Sequence, residues 1–172
     1  MDSIIETTRL VIRQLNESDL TVLYEIMRKP VVMYAWEHGF SEDEVYDWIS
    51  YQKTRYQNDG YGYFAVISKE TGELIGQAGL LVNKLNSEPI VEIGYIFDDA
   101  VWNNGYAIEA ARACVTIAFQ RFGIDKLYAT IRPENEASAK VAIKLGMQKI
   151  GQYIKTYQGK EMPHDIYVME KS

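Results

Sequence analysis

The chain has 172 residues, 47% of them hydrophobic and 24% charged, which suits one globular domain spanning 1–172 with a sizeable core. A formal net charge of −6 argues against a general nucleic-acid binder and suits either a cationic substrate such as an amine or simply solubility. The lone cysteine, Cys114, excludes an internal disulfide framework, and with only His38 and His164 beside it the usual zinc ligand spacing cannot be assembled, so no metal is expected.

The opening 1-MDSIIETTRLVIRQL has an acid at Asp2 and no long apolar run, unlike a leader peptide. No window approaches the roughly 20 apolar residues of a membrane helix. A cytoplasmic location with no membrane partner is the expectation. Residues 8–15, TRLVIRQL, alternate as a strand with Leu10, Ile12 and Leu15 turned inward. Residues 16–30 open on capping residues and end at Pro30, with Leu20, Leu23, Tyr24 and Met27 at helical spacing. A second helix follows over 41–57, where Ser41 and Glu44 make a capping-box pair and Val45, Trp48, Ile49 and Tyr56 share a face.

The period then changes to that of strands. Residues 63–68 and 74–81 read as a hairpin around KETGE, 83–89 as a polar loop, and 90–97, IVEIGYIF, as a central strand. A helix is expected from Tyr106 to Phe122, with Ala107, Ala111, Cys114, Val115, Ala118 and Phe122 towards the sheet and Gly123 as its stop. Strand 126–132, a helix from Asn135 to Leu145 ended by Gly146, and strands near 147–157 and 162–170 complete the chain. The fold class is α/β: a mixed, mostly antiparallel sheet of about seven strands flanked by helices.

Residues 101–110, VWNNGYAIEA, place a glycine-containing loop between a strand and a helix. The first N–H groups of a helix lack internal partners and its dipole puts partial positive charge there, so a phosphate can be held by backbone alone. Gly105 permits close approach, and Ala107 keeps the first turn bare. The motif is neither G-x-x-x-x-G-K-[ST] nor G-x-G-x-x-G. By itself it reads equally as a phosphate seat or as a plain strand–helix turn.

The whole sequence resembles the GNAT superfamily of acetyl-CoA-dependent N-acetyltransferases, and more closely its branch that acetylates ribosomal-protein N-termini. Residues 102–107, WNNGYA, match the Gly and Ala of that superfamily's [QR]-x-x-G-x-[GA] signature at Gly105 and Ala107, with Trp102 in place of Gln or Arg. The likeness extends to TRLVIRQL, to 92–97, EIGYIF, and to 135–147, NEASAKVAIKLGM, which is similar to the branch's N-x-x-S-x-x-V-x-x-K-x-G-F with Met147 for Phe. The resemblance implies acetyl-CoA as co-substrate, its pyrophosphate on the N–H groups of Asn103, Asn104, Gly105, Tyr106, Ala107 and Ile108. It also implies a splay between the strands at 90–97 and 126–132, where the edge at Tyr95, Ile96 and Phe97 receives the pantetheine arm. Gly94, inside an apolar strand, independently marks either a bulge with a close neighbour or a packing choice.

The superfamily's usual thiolate-protonating tyrosine falls at Ala142 here, whereas Ser138 stands at the branch's serine. The resemblance thus implies that Ser138 hydrogen-bonds or protonates the coenzyme A thiolate; its other reading is a first-turn cap. Asn135 is a helix N-cap with a secondary contact to the cofactor. For the general base, Glu92 ranks first and Glu37 second. Burial would raise the pKa of Glu92 towards that of a base, and strand-to-strand hydrogen bonding is its other reading. His38, in the loop between the first two helices, is read as solvated or as a base near neutral pH. Glu109 is expected on the exposed side of the cofactor helix, and Cys114 as packing. Tyr34, Trp36 and Phe40 read equally as an acceptor wall or as core or interface residues. The acceptor is expected to be a peptide N-terminus or a small amine, with direct transfer in a ternary complex; homodimers are frequent in the superfamily. The alternatives are a non-catalytic acetyl-CoA sensor or assembly module, motivated by Ala142, and a nucleotide-binding protein using the same loop.

Overall fold

The computed structural model describes residues 3–172; Met1 and Asp2, the latter read above as weighing against a leader, lie outside the described residues. The strands are β1 (Ser3–Glu6), β2 (Leu10–Gln14), β3 (Tyr63–Ser68), β4 (Leu74–Leu85), β5 (Glu88–Phe97), β6 (Lys126–Ile131), β7 (Gln148–Tyr157) and β8 (Lys160–Glu170). The helices are α1 (Leu20–Met27), α2 (Glu42–Asn58), α3 (Tyr106–Gln120) and α4 (Glu136–Lys144). They build one eight-stranded sheet in the order β1-β2-β3-β4-β5-β6-β8-β7. The sheet is mixed and mostly antiparallel, as expected. Its eighth strand is the short β1, whose four residues carry too little alternation to mark a strand in the sequence.

Two expected boundaries move for local reasons. The expected polar loop at 83–89 is instead a tight hairpin: β4 runs on to Leu85, and Asn86 and Ser87 turn the chain with φ of 49° and 70°. Left-handed backbone at both central residues matches the twist of the flanking strands, so polar residues stay in register and the sheet is longer than hydrophobicity suggests. Near the start, Asn16 caps a short 3-10 turn over Glu17–Asp19 before α1 begins at Leu20. There Arg13 and Asp19 form a buried two-pronged ion pair with both contacts at 2.8 Å.

Strand alternation divides the core into two. One face carries α3 and α4: Ala110, Ala111, Cys114, Ile117 and Ala142 pack on Leu10, Ile12, Phe64, Val66 and Leu127. The small side chains of α3 let the helix lie close to the sheet. The other face carries α1 and α2, whose Leu23, Met27, Val45 and Ile49 pack on Leu15, Tyr63, Ala65 and Ile96. Gln77, fully buried in the central β4, has its amide satisfied by the Trp48 indole N–H at 2.7 Å and the Met27 sulfur at 3.5 Å. No helix among the described residues is long and apolar enough to cross a membrane.

Candidate active site

The sheet is antiparallel at every junction but one. β5 and β6 are parallel and share a single ladder pair, Glu92 opposite Tyr128. β6 is also paired through Ile131 with β8, and β5 through Phe97 with β4. The two central strands thus part company after Glu92, where the resemblance places the splay. A cleft of about 1010 Å³ occupies the gap, bounded by β5 residues 93–97 on one side and Ala129–Arg132 on the other. It runs through the sheet: α3 and α4 border one mouth, and α2 with the β7–β8 hairpin borders the other.

At the first mouth, Gly105 takes φ +77° as the N-cap of α3, and Asn103 is also left-handed at φ 66°. The first helical bond closes from the Glu109 N–H to the Gly105 carbonyl at 3.1 Å, which leaves the N–H groups of Tyr106, Ala107 and Ile108 unspent. All three residues line the cleft, as do Asn103 and Gly105. Asn104 turns away: its amide donates to the carbonyls of Val101 and Trp102 at 2.9 and 3.2 Å and closes the loop on itself. The Trp102 indole fastens the loop to the strand end by donating to the Phe97 carbonyl at 2.9 Å. Bare donors at a helix N-terminus suit a phosphorylated ligand.

A brace with no motif in the sequence stands behind this loop. Arg9, just before β2, donates through Nη1 to the Asn104 carbonyl at 2.9 Å, pairs through Nε with Glu109 at 2.7 Å and lies 4.3 Å over the Tyr106 ring. Glu109 also accepts from the Thr7 hydroxyl at 2.6 Å and the Arg9 N–H at 3.0 Å. Glu109 is therefore not on an exposed helix side as expected; its side chain is only 20% exposed, and its pKa is held down against the cost of burial by Thr7 and Arg9. The contacts span about a hundred residues of sequence, so no local pattern marks them.

Along the gap, Tyr95 points towards α4 and donates its hydroxyl to the Ser138 main-chain carbonyl at 2.8 Å. Asn135 caps α4 by accepting from the Ser138 N–H at 3.3 Å. Ser138 and Asn135 both line the cleft, and Ala142 is buried in the core behind them. On the opposite face Gly94 is required sterically: a Cβ there would stand 2.5 Å from the Tyr63 hydroxyl oxygen.

At the second mouth polar groups of β4, β5 and β6 meet. Glu92 is 7% exposed; one carboxylate oxygen accepts from Thr130 of β6 at 2.6 Å and the other from Asn83 of β4 at 2.9 Å. The carboxylate thus spans both neighbouring strands at the point where they divide. Glu37 does not face the cleft; it sits beside it at φ 69°, in contact with Lys160 at 2.7 Å and Arg132 at 3.2 Å. Lys160 first, and then Arg132, hold its carboxyl below the usual range, which disfavours it as a base. His38 also lies away from the cleft, bonded to Glu44 at 2.8 Å and stacked on Phe40. Tyr34 and Trp36 do line it, while Phe40 is core. Cys114 is fully buried in α3, and burial pushes its thiol up to about 12.

Residues 9–148 match the acetyltransferase (GNAT) domain. The chain belongs to the GNAT acetyltransferase family. It is an N-acetyltransferase, and its relatives agree. It is 33% identical over 148 residues to an uncharacterized N-acetyltransferase, YnaD, of Bacillus subtilis, covering 86% of this chain and 84% of that one. To the uncharacterized protein YkkB of the same organism it is 32% identical over 162 residues, 94% of this chain and 92% of the relative. A GNAT-family acetyltransferase from Bacillus anthracis superposes with a TM-score of 0.81 at 27% identity, covering 96% and 97% of the two chains. RimL, a ribosomal L7/L12 alpha-N-protein acetyltransferase solved with coenzyme A, shares the fold at a TM-score of 0.82, covering 98% of each chain, but at 18% identity. In this GNAT fold the bare helix N-terminus and the parting of two parallel strands are one device, because the loop that leaves β5 is the loop that opens α3.

Proposed function

We propose that this enzyme transfers acetyl directly from acetyl-CoA to a primary amine, with both substrates bound at once. The observation that carries this is the cleft passing through the sheet, with a phosphate-type seat at one mouth and a separate polar chamber at the other. Two ligands can enter such a cleft from opposite faces and meet in the gap. Residues 103–108 take the pyrophosphate on backbone N–H groups, principally those of Tyr106, Ala107 and Ile108. The β5 edge at Tyr95, Ile96 and Phe97 receives the extended arm, and Asn135 fixes the start of α4 beside it.

Transfer forms a bond between the amine nitrogen and the carbonyl carbon and breaks the carbon–sulfur bond. Ser138 is assigned to hydrogen-bond the departing thiolate, since it stands at the mouth of the gap on a capped helix end held by Tyr95. No acyl-enzyme is invoked: Cys114, the chain's only thiol, is sealed in the core. Glu92, with both oxygens engaged, is assigned to hold Thr130 and Asn83 at the branching of the sheet; Glu37 has no assigned part in the proton transfer.

The test is release of free thiol from acetyl-CoA in the presence of a panel of primary amines, with peptides bearing free α-amino groups first and polyamines, amino acids and aminoglycosides after. Intersecting double-reciprocal lines are expected, together with a large loss of kcat in Ser138→Ala at unchanged acetyl-CoA binding. Parallel lines would overturn direct transfer. Binding of acetyl-CoA without turnover of any amine would favour the sensor or assembly reading.

A further inference from the structure

His164 belongs to no motif in the sequence, yet it lines the second mouth. It is 5% exposed and lines the cleft from β8. Strand registers put it among the polar groups already described. Its direct partner on β7 is Tyr153, and Thr130 of β6 is opposite Ile166, two residues further along the same face of β8. Thr130 in turn donates to Glu92. Glu92, Thr130 and His164 therefore stand on one face of the sheet.

The two ring nitrogens have different surroundings. Nδ1 lies 3.1 Å from the Met162 carbonyl, which can only accept, so Nδ1 carries the hydrogen. Nε2 is then the bare lone pair of a neutral ring. It has no hydrogen-bond partner among the described residues and is not one of the side-chain atoms sealed from solvent, so it opens onto the cleft. The charged and titratable groups facing the ring are Tyr153 and Lys155 from β7, Arg132 beyond β6 and Glu92 from β5.

We propose that Nε2 of His164 accepts the proton that the acceptor amine loses as its nitrogen bonds to the acetyl carbon. The nitrogen–carbon bond forms, the carbon–sulfur bond breaks with its electron pair on sulfur, and the amine proton passes to Nε2. This inference rests on the acetyl-transfer reading above. Three features fit it. Lone-pair orientation is fixed by the Met162 contact. Burial, opposed by the Met162 hydrogen bond and then reinforced by Lys155 and Arg132, lowers the pKa of the ring, so it is neutral and ready to accept near pH 7. Among the groups lining this mouth, Glu92 has both oxygens occupied, whereas Nε2 is free.

The experiment combines kinetics with a titration. Turnover of acetyl-CoA is followed by thiol release with whichever amine of the panel the wild type uses best. The ring protons of the two histidines are titrated in parallel by NMR and assigned with His38→Gln. For the wild type, kcat/KM should rise with pH along a limb whose midpoint equals the NMR midpoint of His164, below the ordinary histidine value. His164→Gln should lose that limb and about a hundredfold in kcat, while acetyl-CoA still raises its unfolding temperature as in wild type. His164→Asn replaces it if the glutamine variant does not fold. A variant that keeps the limb, or turns over within threefold of wild type, overturns the proposal, as does one that folds but no longer binds acetyl-CoA. Absence of turnover by the wild type with every amine overturns the acetyl-transfer reading itself, and this proposal with it.

Discussion

The hydroxyl of Tyr95 on β5 donates to the main-chain carbonyl of Ser138 on α4 across 2.8 Å, and this bond spans the gap that the sheet leaves open. Tyr95→Phe removes it without altering shape. The expected cost is about 1 kcal/mol, a fall of roughly 2–4 °C in Tm. If the bond also fixes Ser138, kcat falls several-fold while KM for acetyl-CoA changes less. Calorimetry and initial rates check the two parts separately.

The brace behind the loop makes a different prediction. Glu109→Gln keeps the size of the side chain but loses the charge that gathers Arg9 and Thr7. Because Arg9 is 42% exposed and Glu109 20%, solvent screening limits the stability cost to about 1 kcal/mol. The larger effect falls on the loop that Arg9 holds through the Asn104 carbonyl. Acetyl-CoA should bind several-fold more weakly, measured by titration calorimetry, with little change in kcat at saturation.

The two histidines should push stability in opposite directions with pH. His38 has its pKa raised, first by Glu44, so its contribution is complete below the unfolded value near 6.5 and is lost as pH rises through the folded value. His164 has its pKa lowered, first by burial, so its site favours the fold above the unfolded value and penalises it as pH falls. Against wild type, His38→Gln should be relatively more stable at about pH 8 than at about pH 5, and His164→Gln the reverse. Unfolding curves across that range decide both signs.

Much of the fold was legible because its helices and inner strands carry clean periodicity. Ser41 with Glu44 capped α2 as expected, and Gly123 and Gly146 adopt the positive φ that their helix-ending positions suggested. The hairpin at Asn86 and Ser87 was missed because polar residues in register look like a loop when only hydrophobicity is followed. The bare start of α3 was legible because its donors are consecutive backbone groups. The second mouth was not: Glu92, Thr130, Lys155 and His164 come from β5, β6, β7 and β8, and only strand order brings them together. Arg9 and Glu109 were hidden because they meet across 100 residues of sequence.

The most direct test of the central claim, that the gap between β5 and β6 is a seat for acetyl-CoA, is thermal unfolding with acetyl-CoA beside ATP and NAD. At about 100 times its dissociation constant the ligand should add roughly 2.7 kcal/mol, a rise of several degrees in a chain of this size. The account predicts that rise for acetyl-CoA and a much smaller one for ATP and NAD. An unchanged Tm at saturating acetyl-CoA, or an equal rise with all three, would contradict it.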